Sequence, residues 1–182
     1  MKKSILFLFS CLIVILGTSC SSIPKKAKVD SSIVVGEVSI YFPEDNYYAA
    51  DYQSRASGTI RRDIEVVLEE IASQRQYKVK TDKEGFFVFK NLKPNVAYKL
   101  VKVSFQKEGS ASIVTRWINL KNYTPFVPVA GSVTNLGVVQ YTWQDDRIYT
   151  KYYPNTIVHA RFEEVAEEPE WLSKPIVDIF DY

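Results

Sequence analysis

Cysteine and histidine are scarce in this chain of 182 residues, and their scarcity excludes several kinds of site. The two cysteines are Cys11 and Cys20, so the chain after residue 20 can form neither a disulfide bond nor a thiolate metal site. His159 is the only histidine, and the chain has no Gly-x-Ser-x-Gly motif, phosphate-binding loop or dinucleotide fingerprint. We therefore expect no catalytic residues, no metal and no cofactor.

An excess of charge is also lacking once the first residues are set aside. Residues 1–19 contain two lysines and no acidic residue, which leaves 21 basic and 21 acidic residues in the remainder. Proteins that bind nucleic acid rely on a basic surface, and the pair Lys25-Lys26 is too short to supply one. This balance excludes nucleic acid as an expected partner.

The N-terminus has a basic start at Lys2 and Lys3, followed by an apolar run from Ile5 to Leu16. This run is shorter than the roughly 20 residues that a membrane-spanning helix needs. It ends in the letters LGTSC, the last of which is Cys20. The segment resembles the signal peptide and lipobox of bacterial lipoproteins, with a glycine where the commonest pattern has leucine.

The resemblance implies that residues 1–19 are a signal peptide and that Cys20 becomes a lipid-modified N-terminus carrying fatty acyl chains such as palmitate. Each buried methylene adds about 0.8 kcal/mol, so two or three chains hold a protein permanently on a membrane. The expected location is the bacterial cell envelope. Ser21 favours the outer membrane, on its periplasmic or surface face. The alternative is an ordinary secretory signal, cleaved elsewhere, with Cys20 unmodified.

The remainder divides into three segments by composition. Residues 20–32 are polar with a single proline, which predicts a flexible tether. Residues 33–162 are rich in aromatic and β-branched side chains and predict one β-domain. Residues 163–182 are first acidic and then apolar, so we expect an irregular or short helical extension that docks on the domain.

Alternation of apolar and polar residues predicts strands at 33–42, 77–81, 87–89, 113–120, 133–143 and 156–162. The last of these would place His159 on its polar side. Residues 63–71 fit both a strand and an amphipathic helix, with strand the favoured interpretation. The apolar phase changes between Leu100 and Val101, which indicates a β-bulge or a strand buried on both sides.

The stretch TDKEGFFVFKNLKPNVAYKL combines T-D-x-x-G, F-x-F, N-L-x-P and Tyr-x-Leu motifs. The motif positions are Thr81, Asp82, Gly85, Phe87, Phe89, Asn91, Leu92, Pro94, Tyr98 and Leu100. They resemble the signature of carboxypeptidase regulatory-like and Cna-B-like domains, as does the later Asn135-Leu136-Gly137 turn before a closing strand. The resemblance implies an all-β fold: an Ig-like or prealbumin-like sandwich of about seven strands, with a hairpin through Gly85.

Tyrosines are the strongest candidates for a binding site. Tyr47, Tyr48 and Tyr52 lie in a long loop, and Trp143 and Tyr149 lie further along the chain. Aromatic rings at the end of a sandwich can anchor a protein partner or stack on sugars, although they can equally cover sheet edges.

These residues lead to three interpretations of function. The favoured one is a non-enzymatic, lipid-anchored envelope protein that binds a protein partner or stabilises an assembly. The alternative is a carbohydrate-binding module. A third, less favoured, is a hydrolase, which would need a buried cleft that gathers His159 with carboxylates.

The lipobox generates a direct prediction about Cys20. Palmitate fed to the producing bacterium should label the wild-type protein, and the Cys20→Ala variant should incorporate none and should leave the membrane fraction, because position 20 then has no thiol to accept the lipid. Metabolic labelling followed by fractionation measures both effects. A variant that matures normally and stays membrane-bound would contradict the lipid anchor.

Overall fold

The computed structural model describes residues 23–24, 32–43, 58–108, 113–120, 124–144, 147–167 and 169–180. Over these residues the chain forms ten strands, β1 (Ser32–Tyr41), β2 (Thr59–Ile60), β3 (Glu65–Glu70), β4 (Gln76–Lys80), β5 (Phe86–Leu92), β6 (Tyr98–Glu108), β7 (Ile113–Asn119), β8 (Val133–Gln144), β9 (Arg147–Tyr153) and β10 (Ile176–Asp178). Two helices follow β9, α1 (Thr156–Val165) and α2 (Pro169–Leu172). Neither helix has the length and apolar composition that crossing a bilayer requires.

The strands form two sheets. In the first sheet, β1 pairs in parallel with β8, and its other edge pairs with β5 and then β2. The free edge of β8 pairs with β10 at its start and with β9 over its second half. The second sheet is antiparallel, in the order β4-β3-β6-β7. The predicted all-β sandwich is confirmed, with ten strands in the described residues where the resemblance implied about seven.

The larger hydrophobic core lies between the two sheets. Val38 and Ile40 of β1 face Val66 and Leu68 of β3, and all four side chains are buried. They alternate with residues that point away from this core, as strands in a sandwich require. Each such side chain stabilises the fold by about 1.5–3 kcal/mol through removal from water. This core holds the two sheets together.

A second core covers the opposite face of the first sheet. Ile33 and Val35 of β1 are as buried as the inward-facing residues, and they pack against Val158 and Phe162 of α1. The predicted strand over residues 156–162 was therefore wrong. The two helix residues lie four apart and occupy one face of a helix, and Ala160, which strand alternation placed beside them, is exposed.

The segment 63–71, for which strand was favoured over helix, contains β3 at Glu65–Glu70, which pairs with β4 on one side and β6 on the other. The predicted bulge is confirmed in β6. Val67 lies opposite Lys102 and Leu68 lies opposite Leu100, so Val101 is the additional residue. The bulge lets apolar residues before and after it face the same core.

The segment around Gly85 differs from its prediction. We expected a hairpin, but β4 belongs to the second sheet and β5 to the first, so the turn crosses between the sheets. The Asp82 carboxylate accepts hydrogen bonds from the backbone N–H groups of Glu84 and Phe86, both at 2.9 Å. Gly85 has φ +98° and its carbonyl accepts a bond from the Val38 N–H at 2.9 Å. The T-D-x-x-G motif thus shapes a crossing rather than a hairpin.

Asn135-Leu136-Gly137 also differs from its prediction. These residues lie inside β8 and form a bulge, because Val35 pairs with Asn135 and Glu37 pairs with Val138. The Asn135 side chain accepts a hydrogen bond from the Gly137 N–H at 2.8 Å. The motif is therefore an irregularity within one strand and not a turn that precedes it.

The ends of the domain lie against the second core. Trp171 of α2 is buried, and its Nε1–H donates a hydrogen bond to the Pro24 carbonyl at 2.7 Å. Ile23 packs against the same group of side chains. The stretch predicted as a flexible tether therefore includes two residues that are fixed on the domain.

Gly85→Ala should destabilise the domain by about 1–3 kcal/mol, because φ is positive there and the new Cβ would lie 2.5 Å from the Val38 carbonyl oxygen. Lys83→Ala in the same turn is the control, since its side chain is exposed and its expected effect is within about 0.5 kcal/mol. Urea unfolding measures both. Equal stabilities of the two variants would show that the crossing tolerates a side chain at position 85.

Candidate functional site

Exposed aromatic side chains of the described residues lie on two strands, β7, where Trp117 is 54% exposed, and β9, which contains the predicted candidate Tyr149. Tyr149 is 52% exposed and lies opposite Thr142 of β8, and the neighbouring Ile148 is also exposed. Because successive strand residues point to opposite faces, Tyr149 and Ile148 project from the two faces of the sheet. In the described residues β9 pairs with β8 alone, so it is an edge strand. We call Ile148 and Tyr149 the β9 surface.

Trp143, the other candidate of this region, belongs to the core. Its ring lies 6.4 Å from Phe42 in a stacked arrangement and 6.0 Å from Phe105 edge-to-face. Both partners are buried between the sheets. Trp143 therefore covers the end of the core, and of the two candidates here only Tyr149 projects into solvent.

Tyr47, Tyr48 and Tyr52 lie outside the described residues, as does Cys20. The described ends of the tyrosine loop are nevertheless informative. The Phe42 N–H donates a hydrogen bond to the Gly58 carbonyl at 2.8 Å, so the residues that flank the loop on both sides lie together at the end of β1. Tyr41 of β1 lies beside Thr142, which in turn lies beside Tyr149. The loop and the β9 surface therefore originate from the same end of the first sheet.

Polar side chains adjoin Tyr149 on its face of the sheet. The Tyr153 hydroxyl donates a hydrogen bond to Gln140 Oε1 at 3.1 Å, and the Lys151 ammonium lies 4.7 Å from the centre of the Tyr153 ring. Gln140 and Thr142 are partly exposed. This face thus offers an aromatic ring together with amide, hydroxyl and ammonium groups.

An open pocket of about 420 Å³ lies between α1 and the first sheet. Its charged lining is Glu37, Arg61, Glu84, Arg161 and Glu164. Arg161 donates to Asp82 at 3.0 Å and to Glu164 at 2.6 Å, so its charge is neutralised within the domain. The sequence reasoning missed this pocket because its residues come from β1, two turns and a helix that was predicted as a strand.

Burial raises the pKa of Glu37 above its ordinary value of 4.5, and the nearby Arg61 guanidinium opposes the shift. Asp82 and Glu84 raise the pKa further and Arg161 lowers it. A raised pKa means that the folded state holds this proton more tightly than the unfolded chain does. The stability of the domain therefore decreases as pH rises from 4.5 through the raised pKa.

His159 lies on α1 and contacts the C-terminal strand. Its Nε2 is 2.9 Å from Asp178 Oδ1, and the same oxygen accepts a hydrogen bond from the Asn135 amide at 2.7 Å. The side chains of His159 and Asp178 are each about one-third exposed. The pair joins α1 to β10 and β8. It lies outside the charged pocket, whose lining does not include the histidine.

The described residues contain no group of three or more histidine, cysteine, aspartate or glutamate side chains placed to hold a metal ion. No protein-family model matches the chain, and no curated protein or solved structure matches it significantly.

Glu37→Gln should raise the melting temperature at pH 7, because the amide carries no charge that burial penalises. The gain should shrink steadily as pH falls towards 4, because the wild-type carboxyl then becomes protonated in both states. Thermal unfolding of both proteins across this pH range measures the difference. An equal difference at both ends of the range would show that packing, rather than ionisation, distinguishes the two side chains.

Proposed function

We propose that this chain is a non-enzymatic, lipid-anchored protein of the bacterial cell envelope that binds a protein partner through the β9 surface. The lipobox-like segment and Cys20 support the anchor, and Ser21 favours the outer membrane. The resemblance of residues 81–100 to carboxypeptidase regulatory-like and Cna-B-like domains supports a structural or binding role. The observation that carries the proposal is the exposed Tyr149 on the edge strand β9, at the end of the sandwich remote from Pro24.

The two ends of the domain are defined by β8. At the start of this strand, the Val133 N–H donates a hydrogen bond to the Pro175 carbonyl at 2.9 Å. Pro175 follows four residues after Trp171, whose indole N–H is hydrogen-bonded to the Pro24 carbonyl. Near the far end, Thr142 pairs with Tyr149. Nine residues of strand at about 3.3 Å each separate Val133 from Thr142 by about 30 Å. The β9 surface therefore lies at the end of the domain away from Pro24, and the proposed lipid at Cys20 would lie at the other end.

The chemistry of the β9 surface suits a protein partner. Tyrosine is enriched in the centre of protein interfaces, where it contributes a large contact area at a low cost in conformational entropy. An edge strand also offers backbone N–H and C=O groups to which an extended segment can pair. Exposed side chains on both faces of β9 would contact such a segment from either side.

The alternative function is carbohydrate binding. It is supported by the polar groups that adjoin Tyr149 and by the tyrosine loop, which leaves and returns at the same end. A sugar ring that stacks on a tyrosine uses neighbouring amide and hydroxyl groups to fix its orientation. The β9 surface would serve both functions, so the experiment has to separate them.

A photo-crosslinking amino acid at position 149 in the producing bacterium should give a discrete protein adduct. The same residue at Lys93, exposed directly after β5, should not, because β5 pairs with the edge of β1 opposite β8 and Leu92 lies beside Ser32 at the other end of the first sheet. Identical adduct patterns at the two positions would contradict the proposal. Glycan-array binding by the purified domain, lost in Tyr149→Ala and in the triple alanine variant of Tyr47, Tyr48 and Tyr52, would instead establish the alternative.

A further inference from the structure

The short distance along the chain between Cys20 and the folded domain carries a further inference, which rests on the lipid anchor proposed above. We infer that the end of the sandwich formed by α2 and the start of β8 lies directly on the membrane that holds the lipid. The surface at this end comprises Leu172, Val127 and Val129, and we call it the basal surface. Its partner is the bilayer itself.

The reach of the chain is the first argument. Ile23 packs against the second core, and Pro24 accepts the hydrogen bond from the buried Trp171 at 2.7 Å. Two residues, Ser21 and Ser22, separate Cys20 from Ile23, so the chain takes three steps of at most about 3.6 Å each. The lipid-bearing residue therefore lies within about 11 Å of the point where the chain enters the domain. That reach is too short for a domain of this size to rotate freely above the bilayer.

The character of the basal surface is the second argument. Leu172 of α2 is 49% exposed, and Val127 and Val129 are exposed to a similar extent. The Ser132 N–H bonds to the Val129 carbonyl immediately before β8 begins, and Pro175, three residues after Leu172, bonds to the first residue of β8. All three apolar side chains thus belong to the same end of the first sheet.

A basic group accompanies these apolar side chains. The Lys174 ammonium lies 5.6 Å from the centre of the Trp171 ring, and the lysine side chain is partly exposed. Apolar side chains that enter the headgroup region and a lysine that stays at the level of the phosphates form a typical interfacial contact. Each contact is weak by itself, but the covalent lipid holds the surface at a high effective concentration next to the bilayer.

The inference can be tested with single-cysteine probes, because Cys11 leaves with the signal peptide and Cys20 is acylated, so the mature lipoprotein has no other thiol. Leu172→Cys and Arg147→Cys are each labelled with an environment-sensitive fluorophore. The lipidated proteins are reconstituted into phosphatidylethanolamine–phosphatidylglycerol vesicles that contain a headgroup-nitroxide lipid. Arg147 is the matched control, since it is exposed on β9 at the remote end.

The fluorophore at position 172 should be quenched about twofold, and the fluorophore at position 147, about 30 Å further from the bilayer, should be unaffected. Equal quenching at both positions, or none at position 172 in vesicle-bound protein, would overturn the inference and leave the lipid anchor intact. Protein that carries no lipid and does not float with the vesicles would instead overturn the proposed anchor. Flotation of each sample distinguishes the two failures.

Discussion

The parallel pairing of β1 with β8 is the constraint on which the rest of the structure depends. Both strands have apolar residues on both faces, as Val34 and Val35 illustrate in β1. A strand of this composition has to be covered on both sides. The second sheet covers one side, and α1 with Trp171 covers the other. The C-terminal extension is therefore an integral layer of the domain.

The same pairing gives the domain two chemically different ends. The first residues of β8 contact the segment that contains Pro175, and Trp171 in turn holds Pro24. The last residues of β8 pair with β9 and its exposed Tyr149. Under the proposed lipid anchor, a rigid sheet thus presents its aromatic end about 30 Å away from the bilayer. A partner would be bound at a defined height and orientation rather than on a loose tether.

The residues that resemble a family signature fix the conformation of the backbone in this structure. Asp82 and Gly85 shape the crossing between the sheets, and Asn135 stabilises a bulge within β8. Asp82 has a second contact, since its other carboxylate oxygen pairs with Arg161 of α1 at 3.0 Å. One side chain thereby joins the sheet crossing to the helix that covers the second core. This linkage explains why the charged pocket and the motif lie next to each other.

Alternating apolar residues predicted most strands, favoured strand over helix for residues 63–71 and indicated an irregularity after Leu100, because strand periodicity and its interruptions are local properties of the chain. The sandwich itself was implied by the resemblance of residues 81–100 to a known family. The partners of each strand are not local. Sequence alone predicted a hairpin of β4 and β5 and a strand over residues 156–162. In the structure β1 is buried on both faces, so the chain crosses between the sheets at Gly85, and a helix with Val158 and Phe162 on its inner face covers the second side of β1. The contact of Trp171 with Pro24, 147 residues apart, likewise follows only from how the finished layers meet.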